Sequence, residues 1–158
     1  MNANAIDQAG ILAIATRLQR LSDQLRRDGL LIYQAHGIDF EPKWFPVIYT
    51  LHKKPLLSVM EIAAEIGYTH PSTISLLKEL EKGKLIQSKK DKTDERKRML
   101  RLTPKGKELI GIMQPVWKIM TDATTELTDT RNNLLQAITE VEEQMQRESF
   151  FNRAQRLK

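Results

Sequence analysis

The spacing of apolar residues divides the chain into helical stretches with one segment of different rhythm between them. Over residues 5–35, Ile11, Ile14, Ala15, Leu18, Leu21 and Leu25 recur at about three and four, while Arg17, Arg20, Asp23, Arg26 and Arg27 take the other face. That pattern predicts one long amphipathic helix. Gly37 to Pro42 reads as a turn, and Glu41-Pro42 opens a second helix carrying Trp44, Phe45, Val47, Ile48 and Leu51 before Pro55 ends it. Pro46 falls early enough in that helix to be tolerated.

Ser58 and Glu61 form a capping-box pair, in which each side chain satisfies an orphan N–H of a helix start. Val59, Ile62, Ala63 and Ile66 give that helix its stripe, and Gly67 stops it. Thr69 or His70 caps the next helix, Pro71 suits its first turn, and the pattern runs to about Lys82 with Thr73, Leu76, Leu77 and Leu80 inward. Its other face carries Ser72, Ser75, Lys78 and Glu79.

After Gly83 the rhythm changes. Leu85 to Lys90 suits a short strand, Asp91 to Arg98 a charged loop, and Met99 to Leu102 the returning strand. Thr103-Pro104 signals a further helix to about Asp129, with Leu109, Ile112, Met113, Val116, Trp117 and Met120 on one side. Pro115 predicts a kink or break near Gln114. A last helix, about Asp129 to Glu148, has Leu134, Leu135, Ile138, Val141 and Met145 as its seam, followed by Phe150-Phe151.

Two helices joined by a short glycine-containing turn form a helix-turn-helix, and a two-stranded ribbon directly after the second helix makes it winged. In such a unit the second helix enters the DNA major groove with its N-terminal residues nearest the bases. The expected fold is mainly α with a small β-wing: a winged helix-turn-helix core flanked by long N- and C-terminal helices.

Charge sharpens this picture. The 158 residues carry a net charge of +5, but between Lys78 and Lys107 twelve Lys or Arg face five Asp or Glu, which leaves thirteen against fifteen elsewhere. A localised basic segment is the electrostatic footprint of a nucleic-acid binder. Lys89, Lys90, Lys92, Lys97, Arg98 and Arg101 on the ribbon, with Lys78 beside them, are the candidate cations for the backbone, which position a protein without reading sequence. Thr69, His70, Ser72 and Ser75 are the candidates to reach base edges, and Arg96 at the wing tip suits the negative potential of a narrow minor groove. Small hydroxyls discriminate bases weakly, so specificity is expected to lean partly on groove shape.

The residues that carry this reading resemble the MarR family of bacterial regulators. LKELEKGKLI at Leu77 to Ile86, TDERKR at Thr93 to Arg98 and LTPKG at Leu102 to Gly106 are similar to its core motifs and occur in the family's order, covering with the helix-turn-helix about a third of the chain. In the family's wing pattern Asp-x-Arg-Arg, Asp94 and Arg96 match and Lys97 stands in the last place. Two positions depart from the pattern: Glu79 lies where a neutral or basic residue suits DNA better, and Gly83 is followed by Lys84 where the family places glycine before the strand.

The resemblance implies one domain, with residues 1–36 and 104–158 as a helical dimerisation region around a DNA-binding lobe at 42–103. Ile11, Leu18, Leu134, Leu135, Ile138 and Val141 would lie in the dimer interface, and their long apolar stripes need partners in any case. It also implies a homodimeric repressor of a pseudo-palindromic double-stranded operator, relieved by a small aromatic or anionic effector. Tyr33, His36, Trp44, His52 and Trp117 would line the effector cleft. The alternative is a winged helix serving as a protein-interaction or regulatory module of a larger acetyltransferase-type protein, for which a chain ending at Lys158 leaves no room.

Other chemistry finds no support in the residues. The absence of cysteine removes disulfides and thiolate zinc sites. His36, His52 and His70 form no His-x-x-x-His or His-Glu-x-x-His pair, and no phosphate loop or nucleophile elbow occurs, so no enzyme, metal or cofactor is expected. No apolar run reaches the roughly 18 residues of a membrane helix, nor does a basic segment precede an apolar one as in a signal peptide, so the expected location is cytoplasmic. Arg96→Ala should weaken binding most on operators that are A·T-rich under the wing; affinities unchanged across such duplexes in a titration would remove the minor-groove role.

Overall fold

The computed structural model describes residues 4–94 and 97–158, so Arg96 lies outside the described residues. The chain divides into two compact units, Met1–Val116 and Trp117–Lys158. The first begins with a helical turn, α1 (Ala5–Gln8), then a 3-10 turn at Gly10–Ala13 and the helix α2 (Ile14–Ala35). The single helix expected over 5–35 is therefore interrupted. Gly10 adopts φ +58°, a left-handed conformation that a helix interior does not accommodate. Asp7 accepts a hydrogen bond from Arg20 at 2.6 Å and pairs with Arg17 at 3.7 Å, which fixes α1 against α2.

A 3-10 turn at Pro42–Trp44 leads into α3 (Phe45–Lys53), with Pro46 in its first turn as expected. Then come β1 (Leu57–Ser58), α4 (Val59–Ile66), α5 (His70–Lys82), β2 (Ile86–Lys90) and β3 (Arg98–Leu102). The sheet is antiparallel in the order β1-β3-β2. Strand β1 was not expected, because two residues are too few to show a period of two. It pairs Leu57 with Leu100 and Ser58 with Met99.

Ser58 thus serves the sheet and caps α4 together. Its hydroxyl accepts from the Glu61 N–H at 3.3 Å, while the Glu61 carboxylate accepts the Ser58 N–H at 2.7 Å. Gly67 closes α4 at φ +68°. The inner face of α5 is the one the sequence predicts, with Thr73, Leu76, Leu77 and Leu80 all buried. Thr73 satisfies its buried hydroxyl by donating to the Thr69 carbonyl at 3.0 Å. Of the α4 stripe only Ile62 is fully buried, with Val59, Ala63 and Ile66 half-buried. Tyr33, Phe40, Val47, Ile48, Leu51, Ile86 and Leu100 are further members of the core of the first unit.

Helix α6 (Pro104–Thr128) runs through Pro115 without the expected break. Proline removes the bond to the Gly111 carbonyl, but Gly111 and Pro115 are both exposed, on the side of the helix away from the buried Met113 and Val116. The freed carbonyl is therefore open to water, and the bonds on the inner face continue.

Where α6 begins, the chain is tied to the start of the wing. The Thr103 N–H donates to the Leu85 carbonyl at 3.0 Å, and its hydroxyl donates to the Lys84 carbonyl at 2.7 Å. The same hydroxyl accepts the Gly106 N–H at 3.0 Å. Gly106 lies so close beneath this join that a Cβ there would sit 2.2 Å from the Leu85 oxygen. The glycine position noted in the sequence also has consequences: Lys84 takes φ +58°, a conformation that L side chains seldom adopt.

The second unit contains α7 (Leu134–Arg147) and α8 (Phe150–Arg156). α7 starts later than the expected Asp129 because Asn133 caps it, accepting the Gln136 N–H at 2.9 Å. The Phe150-Phe151 tail is itself helical, capped by Ser149 and joined to α7 through Arg153, which donates to the Gln144 carbonyl at 3.1 Å. Neither helix contains a buried residue, and Leu135, Val141, Phe150 and Phe151 are each 60 % exposed or more. Among the described residues no helix is long and apolar enough to cross a membrane.

Gly106→Ala should destabilise the protein by about 1–3 kcal/mol, the scale of overpacking a filled site, whereas Gly111→Ala, with open space around it, should not. Equal denaturation midpoints for the two variants would contradict the close approach at Leu85.

Candidate nucleic-acid interface

The outer face of α5 follows from what its inner face buries. With Thr73, Leu76, Leu77 and Leu80 inward, helical geometry leaves Thr69, His70, Ser72, Ser75 and Lys78 exposed. Thr69 caps the helix, its oxygen accepting the Ser72 N–H at 3.4 Å and its hydroxyl donating to Ser72 Oγ at 2.9 Å. These two hydroxyls therefore form a joined pair, beside the open His70 and Ser75.

Glu79 has a place the sequence did not reveal. Its carboxylate accepts from Trp44 Nε1 at 2.9 Å and from Lys43 Nζ at 2.8 Å. The hydrogen bonds from Lys43 and then Trp44 hold the Glu79 carboxyl below its ordinary range. The acid that seemed ill suited to a DNA-facing helix is engaged sideways, by the turn that precedes α3. Behind it, Trp44 meets Phe40 edge-on at 5.7 Å, and Phe40 meets Tyr33 edge-on at 5.1 Å.

Hairpin β2–β3 pairs Ile86 with Leu102, Ser88 with Leu100 and Lys90 with Arg98, and between these Gln87 with Arg101 and Lys89 with Met99. Side chains alternate faces along a strand. The side chains of Lys90 and Arg98 therefore share the face of the buried Ile86, Leu100 and Leu102, while Lys89 and Arg101 take the other. Lys89, Lys90, Lys92, Lys97, Arg98 and Arg101 are all exposed. Arg98 is engaged by Glu81, near the C-terminal end of α5, in an ion pair.

The wing turn is organised by Asp91, a residue the sequence reading passed over as part of a charged loop. Its carboxylate accepts the Thr93 N–H at 2.8 Å, the Thr93 hydroxyl at 2.6 Å and the Asp94 N–H at 3.1 Å. Its own N–H donates to the Lys97 carbonyl at 2.9 Å, closing the loop. An Asp followed two residues on by Thr is a recognisable Asx-turn signal and would have identified it. The Thr93 hydroxyl and the two backbone donors lower the Asp91 pKa to about 2.

The suggested effector residues differ in exposure. Tyr33 is buried, Trp44 and His52 are half-buried, His36 is exposed just beyond α2, and Trp117 opens the second unit. Of these, the structure joins Tyr33 and Trp44, through Phe40. The suggested interface residues Ile11 and Leu18 on the first unit, and Leu135, Ile138 and Val141 on the second, are exposed apolar side chains, with Leu134 half-buried. Among the described residues no group of three His, Asp or Glu is placed to hold a metal ion.

This geometry can be set beside known proteins. Residues 36–97 match the model of the MarR family. No curated protein matches the chain in sequence. Among solved structures, the transcriptional repressor CouR bound to a 23-mer DNA duplex is 27 % identical, with a TM-score of 0.69 over 84 % of this chain and 96 % of that one. A mutant of MarR from Escherichia coli complexed with operator DNA is 14 % identical, with a TM-score of 0.68 over 89 % and 98 % of the two chains. BpsR of Bordetella bronchiseptica, whose DNA binding is regulated by 6-hydroxynicotinic acid, is 20 % identical, with a TM-score of 0.59 over 82 % and 98 %.

The Asp91 carboxylate makes the wing testable by pH. Because its folded pKa is depressed, its contribution is complete above the ordinary value of 3.8 and is lost as pH falls through about 2. The amide shifts of Thr93 and Asp94 should titrate with a midpoint near 2; a midpoint at 3.8 would mean that the turn is not formed. A helix-turn-helix with its capped second helix, a wing closed by an aspartate and a segment from 36 to 97 that matches the MarR family model together describe a winged helix-turn-helix with a MarR-like core.

Proposed function

We propose that this chain is a homodimeric, sequence-specific regulator of transcription that binds double-stranded DNA as a repressor and is released by a small aromatic or anionic effector. The observation that carries this reading is the pairing of a polar exposed face on α5 with a cationic wing tied to the same helix. Ser72, Ser75 and His70 would enter the major groove at the N-terminal end of α5, with Thr69 ordering the Ser72 hydroxyl. Lys78, Lys89, Lys90, Lys92, Lys97 and Arg101 would neutralise phosphates, and Arg96 would reach the minor groove. The activity is binding, not catalysis, and its place is the cytoplasm with the DNA.

Dimerisation is supported by the apolar faces of both units. Ile11 is 81 % exposed and Leu135 70 %, a state that the hydrophobic effect disfavours unless a second surface covers them. Two copies present two α5 helices, and the operator should then hold half-sites about 10 bp apart or a multiple of it. The effector reading draws support from BpsR, where an aromatic acid regulates DNA binding. Such a molecule shifts affinity only by binding the DNA-competent and incompetent geometries unequally.

Lys90→Ala should lower the salt slope of DNA binding by about one, as loss of a single phosphate contact requires. An unaltered slope would mean that Lys90 meets no phosphate. Truncation after Glu126 removes α7 and α8 and should leave a monomer in sedimentation; a truncated chain that still sediments as a dimer would contradict the terminal-helix interface.

A further inference from the structure

Two carboxylates, Glu79 and Glu81, sit on a helix that otherwise offers hydroxyls and lysines outward. A carboxylate approaching phosphate is repelled unless a cation neutralises it. At about 100° per residue, side chains two apart on an α-helix point to nearly opposite sides. Each of these acids meets a cation from a different element: Glu79 takes Lys43 at 2.8 Å, and Glu81 takes Arg98 of β3. Helix α5 is therefore held from both flanks, by the turn before α3 on one and by the wing on the other.

The position of Arg98 in the hairpin explains how it comes to face α5. It lies directly opposite Lys90, on the face of the hairpin that carries Leu100 and Leu102 into the core. Two like charges opposite one another on a ladder repel, and Glu81 offsets that repulsion by engaging one of them. The Glu81 side chain is 22 % exposed and that of Arg98 46 %, so the acid is the more enclosed member and the guanidinium reaches in to it.

From this we infer that Arg98 is a positioning residue and not a phosphate ligand. With Glu81 it clamps the wing to the C-terminal half of α5, and so sets the separation between the helix face that meets the major groove and the wing cations that meet the flanking backbone. Lys90, across the ladder, is then the cation of this pair that reaches phosphate. The inference rests on the DNA-binding reading above and adds to it a division of labour within the wing. An exposed ion pair adds little to folding stability, so the clamp acts on geometry and should show in DNA binding, with the melting temperature nearly unmoved.

The test compares full-length Glu81→Gln, Arg98→Gln and the double variant with wild type, on one duplex recovered from a random pool by the wild-type protein, over a range of salt. Circular dichroism establishes that each variant is folded. Each single variant should bind about fivefold more weakly, the scale of one ion pair, and the double variant no more weakly than either single one. All salt slopes should equal that of wild type. The result for Glu81→Gln is the sharpest, since it removes a negative charge from the DNA-binding lobe and is nonetheless expected to weaken binding. If Glu81→Gln binds as tightly as wild type or more tightly, and Arg98→Gln lowers the slope by about one, Arg98 is a phosphate ligand and the clamp is refuted. If wild type recovers no duplex, the DNA-binding reading falls and the clamp with it, a result reached before any variant is compared.

Discussion

The carbonyl of Leu85 is the point on which the lobe turns. It accepts the Thr103 N–H at 3.0 Å and lies over Gly106 at a separation that leaves no room for a side chain. Upstream, the Leu85 N–H donates to the Leu80 carbonyl at 2.9 Å, closing the end of α5. Lys105 adds a cation at the same end, donating to the Gly83 carbonyl at 2.9 Å, where the helix dipole favours positive charge. The end of α5, the base of the wing and the start of α6 are thereby fixed to one another within a few residues. The direction in which the hairpin leaves α5 is set here, and the strained Lys84 at φ +58° is part of what that join requires.

From this fixed base, burial and charge divide the tasks. The apolar face of α5 is spent in the core, so its polar face has nowhere to go but solvent or a ligand. Acids on the helix are drawn off to the flanks by Lys43, Trp44 and Arg98. What remains outward is a short row of hydroxyls and an imidazole, followed by lysines along the hairpin. Such a surface is matched to a polyanion whose grooves carry hydrogen-bonding edges. The Asp91 carboxylate holds Thr93 and Asp94 in place before any ligand arrives, which lowers the entropy that binding has to overcome.

Much of this was legible in the sequence, for reasons that can be stated. The capping box at Ser58, the stop at Gly67, the proline after Thr69 and the inward row Thr73, Leu76, Leu77 and Leu80 are local signals, and each describes the structure. The long first helix was misread because the apolar period continues across Gly10, whereas the backbone there does not. Strand β1 is two residues long and exists only through its pairing with β3, a non-local fact. The partners of Glu79 and Glu81 lie 36 and 17 residues away, and no spacing rule connects them. Pro115 does not break its helix, because a proline's effect depends on which side of the helix faces water. For the site, residue types on the exposed face of α5 could be read directly, but which cations are already engaged could not.

The central claim is that this fold, with its basic wing, reads DNA as a symmetric pair. Selection of bound duplexes from a random pool at near-physiological salt tests it most directly. The account predicts recovery of a pseudo-palindrome whose half-sites lie about one helical turn apart. Recovery of unrelated duplexes, retained only at low salt, would leave a non-specific basic surface and contradict the account.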